Sequence, residues 1–481
     1  MNQLTVPAHQ RPYVDGQWRD GADAIAVTDL ADGGVFTHVG AAGVEAAEDA
    51  LAAAHRVKPA LRDASIPQRY EWLNGVADGI ADRREELAET IVREAGKPIS
   101  SARGEVDSAV ERFRRAAEEA RQQKGEYREG TTAGHENWQA VVKPEPRGLA
   151  LCITPYNYPL ATTALQVAPA LAAGNSVVLK PASKTPVTAA VLADVVADAG
   201  LPDGAFNFLP GDASEIGDYL AGDDRVNAIA MTGSSSAGKH VAKQAGLVEL
   251  HMELGGNAPE IVFADADLAD AAADAAAGSV KYAGQRCSAV SRVLAQDAVH
   301  DDLVARIDDE LDSWTVGDLF DDDTDLGPVI DESQAEWVQE LVDDAVENGA
   351  DLVRGGEYEK QAEGVYVYEP TLLADVPHDA RIIREEQFGP VAAVTRFDTE
   401  AKAVALANDT DLALDAAVFT SDYDRALRVA DRVQAGAVRI NGRPSHGLGD
   451  IPFGGRKSSG IGREGLDSSI DAFTTTKSII L

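Results

Sequence analysis

Gly148-Leu149-Ala150-Leu151-Cys152-Ile153-Thr154 is a short apolar run that stops at a turn, Pro155-Tyr156-Asn157-Tyr158-Pro159. Helical spacing follows over 162–173, and a second apolar run, Ser176-Val177-Val178-Leu179-Lys180, comes after it. A second helix over 188–199 is closed by Gly200-Leu201-Pro202, and runs at 206–209 and 228–231 continue the series. Short apolar runs that alternate with helices predict a parallel, doubly wound sheet. Ligands on such sheets sit at the carboxyl ends of the strands. The turn after Ile153 and the Gly/Ser-rich turn after Met231 are therefore the first places to seek a site.

Working outward toward the N-terminus, Ala, Glu and Arg dominate 44–54 and 67–95, with apolar residues at helical spacing. Ile80, Leu87, Ile91 and Ala95 form the expected inward face, and Gly96-Lys97-Pro98 ends the second helix. Another helix is predicted over 101–122, and a hairpin around Asp15-Gly16. Residues 125–146 are polar with scattered Tyr, Trp and Val, and read as strands. Exposed strands need a partner, so this ribbon is expected to make a subunit contact. Toward the C-terminus, a second α/β segment begins after Gly255-Gly256, with a strand at 260–263 and an Ala-rich helix over 268–282. Residues 454–465 read as a glycine-rich loop and 473–481 as a final apolar strand.

The chain has 481 residues, too many for one simple core. Lys and Arg total 43 against 80 Asp and Glu, a net charge of −37. Such a field repels nucleic acid and anionic membranes. The acids are dispersed rather than gathered in a tail, as on proteins of a salt-rich cytoplasm, where screening removes most self-repulsion. Only two cysteines occur, Cys152 and Cys287, which fits a reducing interior. The first dozen residues show no secretory signal and no apolar run is long enough to span a bilayer, so a cytoplasmic protein is expected.

The chemistry is concentrated in Lys281-Tyr282-Ala283-Gly284-Gln285-Arg286-Cys287-Ser288. A thiol beside an arginine and near a glycine suits a nucleophile, because a neighbouring cation favours the thiolate. A buried structural cysteine is the bland alternative, and the octapeptide alone does not decide between them. Four other stretches do: Thr154 to Pro159, Met231-Thr232-Gly233-Ser234-Ser235-Ser236-Ala237-Gly238, Glu253-Leu254-Gly255-Gly256, and Glu385-Glu386-Gln387-Phe388-Gly389-Pro390.

These five motifs, in this order, resemble the aldehyde dehydrogenase superfamily. The resemblance covers nearly the whole chain, including Pro452-Phe453-Gly454-Gly455 and Lys457-Ser458-Ser459-Gly460. It implies an α/β fold with a Rossmann-type cofactor domain (1–124 and 147–255), an α/β catalytic domain (256–457), and a small β oligomerisation element with the C-terminal tail (125–146 and 458–481). It implies Cys287 as nucleophile, Asn157 with the Cys287 backbone N–H as oxyanion donors, and Glu253 as the base that activates water. Thr154, Lys180, Ser183, Gly233, Ser234, Gly238, Glu386 and Phe388 would hold NADP or NAD. No metal is expected. Assembly as a homo-dimer or homo-tetramer is expected. Relatives that transfer the acyl group to coenzyme A generally lack the glutamate, so Glu253 implies a free acid as product. Glu464 is either part of a proton relay or a surface carboxylate.

Gly284-Gln285-Arg286-Cys287 resembles the branch holding non-phosphorylating glyceraldehyde-3-phosphate dehydrogenase. That likeness implies a small anionic aldehyde, with Arg286, Tyr158 and His446 at the substrate. The match is incomplete, since Ser108, with Arg112 one turn on, and His446 stand where that enzyme has arginines. Lactaldehyde, a semialdehyde and phosphonoacetaldehyde remain alternatives, as does a non-catalytic protein on the same fold. NAD-specific relatives tend to carry glutamate where this chain has Ser183. A carboxylate there would repel a 2′-phosphate, so NADP is expected to be accepted and preferred.

Overall fold

The computed structural model describes residues 7–445, 447, 449 and 451–481. Its first sheet has eight strands. Five form a parallel centre, in the order Phe206–Phe208, Ser176–Lys180, Leu149–Ile153, Ala228–Thr232, Glu249–Glu253. Leu149–Ile153, from the first apolar run, is the middle strand. The chain builds outward from it in one direction and then crosses to its other side. The topological switch therefore falls between Leu149–Ile153 and Ala228–Thr232, whose carboxyl ends lead into Thr154 and Gly233.

Strand alternation explains the layers. Ala150, Cys152, Val177 and Leu179 face one way, into a core shared with helices Ile66–Asp82, Ile99–Gln122 and Ala161–Ala172. Leu149, Leu151 and Val178 face the other way, toward Val44–Asp63 and Ala213–Ala221. Both faces are buried, so these strands read as unbroken apolar runs.

A second, seven-stranded sheet carries Ala258–Val262 and Val290–Gln296 near its centre, flanked by Val391–Phe397 and Asp415–Phe419. A third sheet joins Glu126–Glu129, Gln139–Pro146 and Thr474–Ile480. The expected final strand is thus present, but its residues from Thr475 onward are exposed, as are Tyr127 and Trp138 beside it. The hairpin is present too, with Asp15 and Gly16 both at positive φ, 54° and 77°.

Three expectations need correction. The helix over 67–95 is two, Ile66–Asp82 and Arg84–Ala95, broken at Arg83, which pairs with Glu86 and Asp194. The helix expected over 268–282 stops at Val280 because Tyr282, Ala283 and Gly284 all take positive φ. The loop at 454–465 contains two short strands: Arg456–Lys457, which pairs with Leu412–Ala413, and Gly460–Ile461, which pairs with the edge of Glu249–Glu253. Among the described residues no helix is long and apolar enough to cross a membrane.

Candidate active site

Cys287 follows helix Leu268–Val280 through a tight turn. Tyr282, Ala283 and Gly284 sit at φ 57°, 49° and 69°. Two consecutive non-glycine residues in this region cost about 1–3 kcal/mol each and need outside support. The Tyr282 hydroxyl donates to the Ala95 carbonyl at 2.8 Å. At Gly284 the carbonyl of Gly389 lies where a Cβ would be, so only glycine fits. The turn is held rigidly, with the thiol at its end.

Asn157 reaches that turn from the first sheet. Its side-chain amide donates to the Gln285 carbonyl at 2.9 Å. Gln285 is itself fixed, accepting from the Ile330 N–H at 2.9 Å and donating to the Pro328 carbonyl at 3.3 Å. Glu253 ends strand Glu249–Glu253, and Gly255-Gly256 beyond it run against the thiol's own backbone. A Cβ at Gly256 would overlap the carbonyl oxygen of Cys287, so glycine there allows the two segments to meet. Four of the five motif stretches therefore meet at one place.

Beside them lies a cavity of about 660 Å³ lined by Cys287, Glu253, Tyr158, Arg286, Arg112 and Arg443, among others. Glu253 is buried, and neither carboxylate oxygen has a hydrogen-bond partner among the described residues. Burial, with Glu464 and Asp415 nearby, pushes its carboxyl well above the usual range against a weaker pull from Arg463. A carboxyl raised in this way is, once ionised, a stronger base than an exposed carboxylate. Burial, together with Asp415, Glu253, Glu386 and Glu464, pushes the Cys287 thiol up as well. This is the reverse of the lowering expected from a cationic neighbour alone. Removing the thiol proton then calls for a base within the cavity.

Arg286 is buried and donates to the Gly278 carbonyl at 2.5 Å, at the end of the preceding helix. Arg443 is tied to Asp274 through its backbone N–H at 2.9 Å and its guanidinium at 3.1 Å. Lys281 also lines the cavity, and among the described residues it has no ion-pair partner. Arg443 escapes a reading of the sequence because nothing local marks it. Lys281 stands inside the octapeptide that carries the thiol, where its neighbours suggest no role for it. Ser108 and Arg112 line the cavity, and Arg112 donates to the Ala161 carbonyl. His446 lies outside the described residues.

A second group of candidate residues gathers at the switch point. Ser234 caps helix Ser235–Gln244, its hydroxyl accepting from the Ala237 N–H at 3.2 Å. Gly233 donates to the Glu253 carbonyl at 3.1 Å, and at Gly238 a Cβ would overlap Leu254. Glu386 accepts from the Gly256 N–H at 2.9 Å, and burial pushes its carboxyl up to about 7. Gly255 has no room for a Cβ because the Glu386 carboxylate fills that space. Phe388, at φ 50°, sets its ring edge-on to Tyr156 at 5.9 Å. Trp337 and Gln334 pin this loop by donating to the Glu386 and Gln387 carbonyls, each at 3.0 Å. Both come from helix Glu332–Glu347 and carry no signal in the sequence.

At the edge of this group Thr154 donates its N–H to the Lys180 carbonyl at 3.2 Å. The Lys180 ammonium donates to the Pro181 and Gly211 carbonyls at 3.3 and 3.2 Å, and burial pulls it down to about 8. The Ser183 hydroxyl donates to the same Gly211 carbonyl at 2.8 Å. A helix N-terminus, an ammonium, a hydroxyl and a carboxylate at the carboxyl ends of the parallel strands suit a ligand with phosphates and ribose hydroxyls.

A model of the aldehyde dehydrogenase family matches residues 18–479. The chain is 36% identical to the 3-sulfolactaldehyde dehydrogenase of Priestia aryabhattai, over 100% of both chains. It is 37% identical to the NADP-dependent glyceraldehyde-3-phosphate dehydrogenase of Streptococcus equinus, over 97% of this chain and 98% of that one. A crystal structure of the NADP-dependent glyceraldehyde-3-phosphate dehydrogenase of Bacillus halodurans, complexed with NADP, superposes with a TM-score of 0.94 at 35% identity, covering 100% of this chain and 99% of that one.

Proposed function

The chain belongs to the aldehyde dehydrogenase family, and we propose that it oxidises a small anionic aldehyde to the free acid, with NADP or NAD as cofactor. The observation that carries this reading is the cavity. It brings Cys287 and Glu253 together with the cations Arg286, Arg443 and Lys281, on a protein whose net charge is −37. So acidic a molecule needs a local cationic wall to hold an anion. Relatives that act on sulfonated and phosphorylated aldehydes support the same class.

In this reading the Cys287 sulfur attacks the aldehyde carbon and gives a thiohemiacetal. The thiol proton passes to water in the cavity and on to solvent, so that Glu253 remains free to act in the second half of the reaction. The Asn157 amide and the Cys287 N–H stabilise the oxyanion. Thr154, Lys180, Ser183, Gly233, Ser234, Gly238, Glu386 and Phe388 hold the dinucleotide, whose nicotinamide supplies hydride acceptance. The acyl group left on sulfur is a thioester. Glu253 then removes a proton from water, the water oxygen bonds to the acyl carbon, and the carbon–sulfur bond breaks to release the acid.

We assign 1–124 and 147–255 to cofactor binding and 256–457 to the catalytic wall. The exposed sheet of 125–146 and the C-terminal strand serves as the contact between copies. The two free thiols and the dispersed acidic surface support a reducing, salt-rich cytoplasm. Ser183 in place of a carboxylate favours NADP.

The test is the absorbance of reduced cofactor on mixing the protein with charged and neutral aldehydes, both cofactors and high salt. Anionic aldehydes should be preferred, and Cys287→Ala should abolish turnover while cofactor still binds. Full turnover in that variant would sink the reading.

A further inference from the structure

Lys97 is buried, and its ammonium lies 3.4 Å from the centre of the Tyr158 ring and 4.5 Å from that of Tyr282. It pairs with the buried carboxylate of Glu105. The same carboxylate accepts from the N–H groups of Leu160 and Ala161, at 3.0 and 3.1 Å, where helix Ala161–Ala172 begins. Tyr158 and Tyr282 meet edge to face at 6.0 Å. One ammonium thus joins three segments: the helix end at Gly96, the loop bearing Asn157 and Tyr158, and the strained turn before Cys287. Tyr158 lines the cavity, and no side chain or carbonyl among the described residues hydrogen-bonds its hydroxyl.

We propose that Lys97 is a positioning residue for substrate, fixing the Tyr158 ring and strengthening its phenol as a donor to an oxygen of the substrate's anionic group. A desolvated ammonium on a ring face is strongly attracted to the ring quadrupole. The same contact withdraws electron density from the phenol oxygen, so its O–H donates better. The charge of Lys97 is unusual enough to need this use. Burying an ammonium is costly, and an apolar residue would otherwise fill the space as well. The proposal rests on the reading of the cavity as the aldehyde site.

The experiment is a double-mutant cycle on KM for a phosphorylated aldehyde, with propanal as the neutral comparison. Lys97→Met is combined with Glu105→Gln, so that no lone charge is buried and the amide oxygen still accepts from the helix. This variant and Tyr158→Phe should each raise KM about tenfold for the phosphorylated aldehyde and leave propanal nearly unchanged. Together they should cost no more than either alone. Multiplied losses would overturn the proposal, as would an equal loss for propanal.

Lys97→Arg gives an independent check, since it keeps a cation that does not titrate. Burial holds the Lys97 ammonium down to about 8, against Glu105 and with Lys281 and Arg286 nearby. KM of the unmodified protein should therefore rise above pH 8, and that of Lys97→Arg should not. The same rise in both would overturn the proposal. Turnover of the unmodified protein with the anionic aldehyde separately checks the functional reading.

Discussion

The side-chain amide of Asn157 donates to the backbone carbonyl of Gln285, two residues before the Cys287 thiol, at 2.9 Å. Asn157 follows strand Leu149–Ile153 of the first sheet and Gln285 precedes strand Val290–Gln296 of the second, so this bond couples the two sheets through the turn that carries sulfur. It also orients the amide and leaves its second hydrogen available. Asn157→Ala should lower kcat about a hundred- to a thousandfold, the usual cost of one oxyanion donor, with cofactor binding intact. Pre-steady-state formation of reduced cofactor would show it, because the loss should fall on the burst itself.

Glu253→Gln should behave differently from Asn157→Ala. Its carboxyl is raised by burial and by Glu464 and Asp415, so the ionised base forms only as pH rises. Deacylation should therefore increase with pH through the Glu253 titration. The glutamine variant should lose that limb and show a burst of reduced cofactor followed by stalling. Equal loss of burst and steady state would assign Glu253 chiefly to removing the thiol proton.

Ser183 bears on cofactor choice. Its hydroxyl and the Lys180 ammonium share the Gly211 carbonyl. Ser183→Glu introduces a carboxylate beside Lys180, which would repel a 2′-phosphate. The ratio of kcat/KM for NADP over NAD should fall about tenfold or more. A strong preference for NAD in the unmodified protein would refute the expected order.

Legibility in the sequence depends on where each signal lies. The strand at 149–153 is readable because burial on both faces makes it uniformly apolar, and Gly200-Leu201-Pro202 marks the end of a later helix as plainly. The break at Arg83 is not readable, since Asp82-Arg83-Arg84 contains neither glycine nor proline and the break is fixed by Asp194, far along the chain. The turn before Cys287 reads as helix because Tyr282 and Ala283 are residue types that rarely take positive φ. What holds them there is the Ala95 carbonyl and the Lys97 ammonium, both distant in sequence. Lys97 itself reads only as part of a helix stop. Motif residues whose partners are neighbours in sequence can be found, whereas Trp337, Gln334 and Arg443, which act across elements, cannot.

Glu260 offers a test of stability rather than turnover. It is fully buried on strand Ala258–Val262, and neither carboxylate oxygen has a hydrogen-bond partner among the described residues. Burial, helped by Asp274 and opposed by Arg443, raises its pKa well above the ordinary value. A group raised on folding contributes stability below its unfolded pKa and loses it as pH rises through the folded one. Glu260→Gln should thus gain on the unmodified protein as pH rises, by about 1–3 kcal/mol at pH 9 relative to pH 5. Thermal melts at both values would show the change, and a constant difference would mean that folding does not raise the Glu260 carboxyl.

Arg286 decides the substrate class. The guanidinium has one nitrogen committed to the Gly278 carbonyl, yet it lines the cavity beside the thiol. Two roles are open to it: assisting ionisation of the thiol, which would help every aldehyde, or holding an anionic group, which would help only charged ones. The first is weakly supported, because burial and four carboxylates keep the thiol raised in spite of the arginine. The second gains from Lys281 and Arg443, which repel Arg286 and so create a place where an anion relieves the strain of like charges. Hydrogen bonds to charged groups contribute about 1.5–3 kcal/mol. Arg286→Ala should accordingly cost about ten- to a hundredfold in kcat/KM, mainly through KM, for an anionic aldehyde, while propanal changes little. A uniform loss across charged and neutral aldehydes would return Arg286 to the thiol, and the assignment of an anionic substrate would then rest on Lys281 and Arg443 alone.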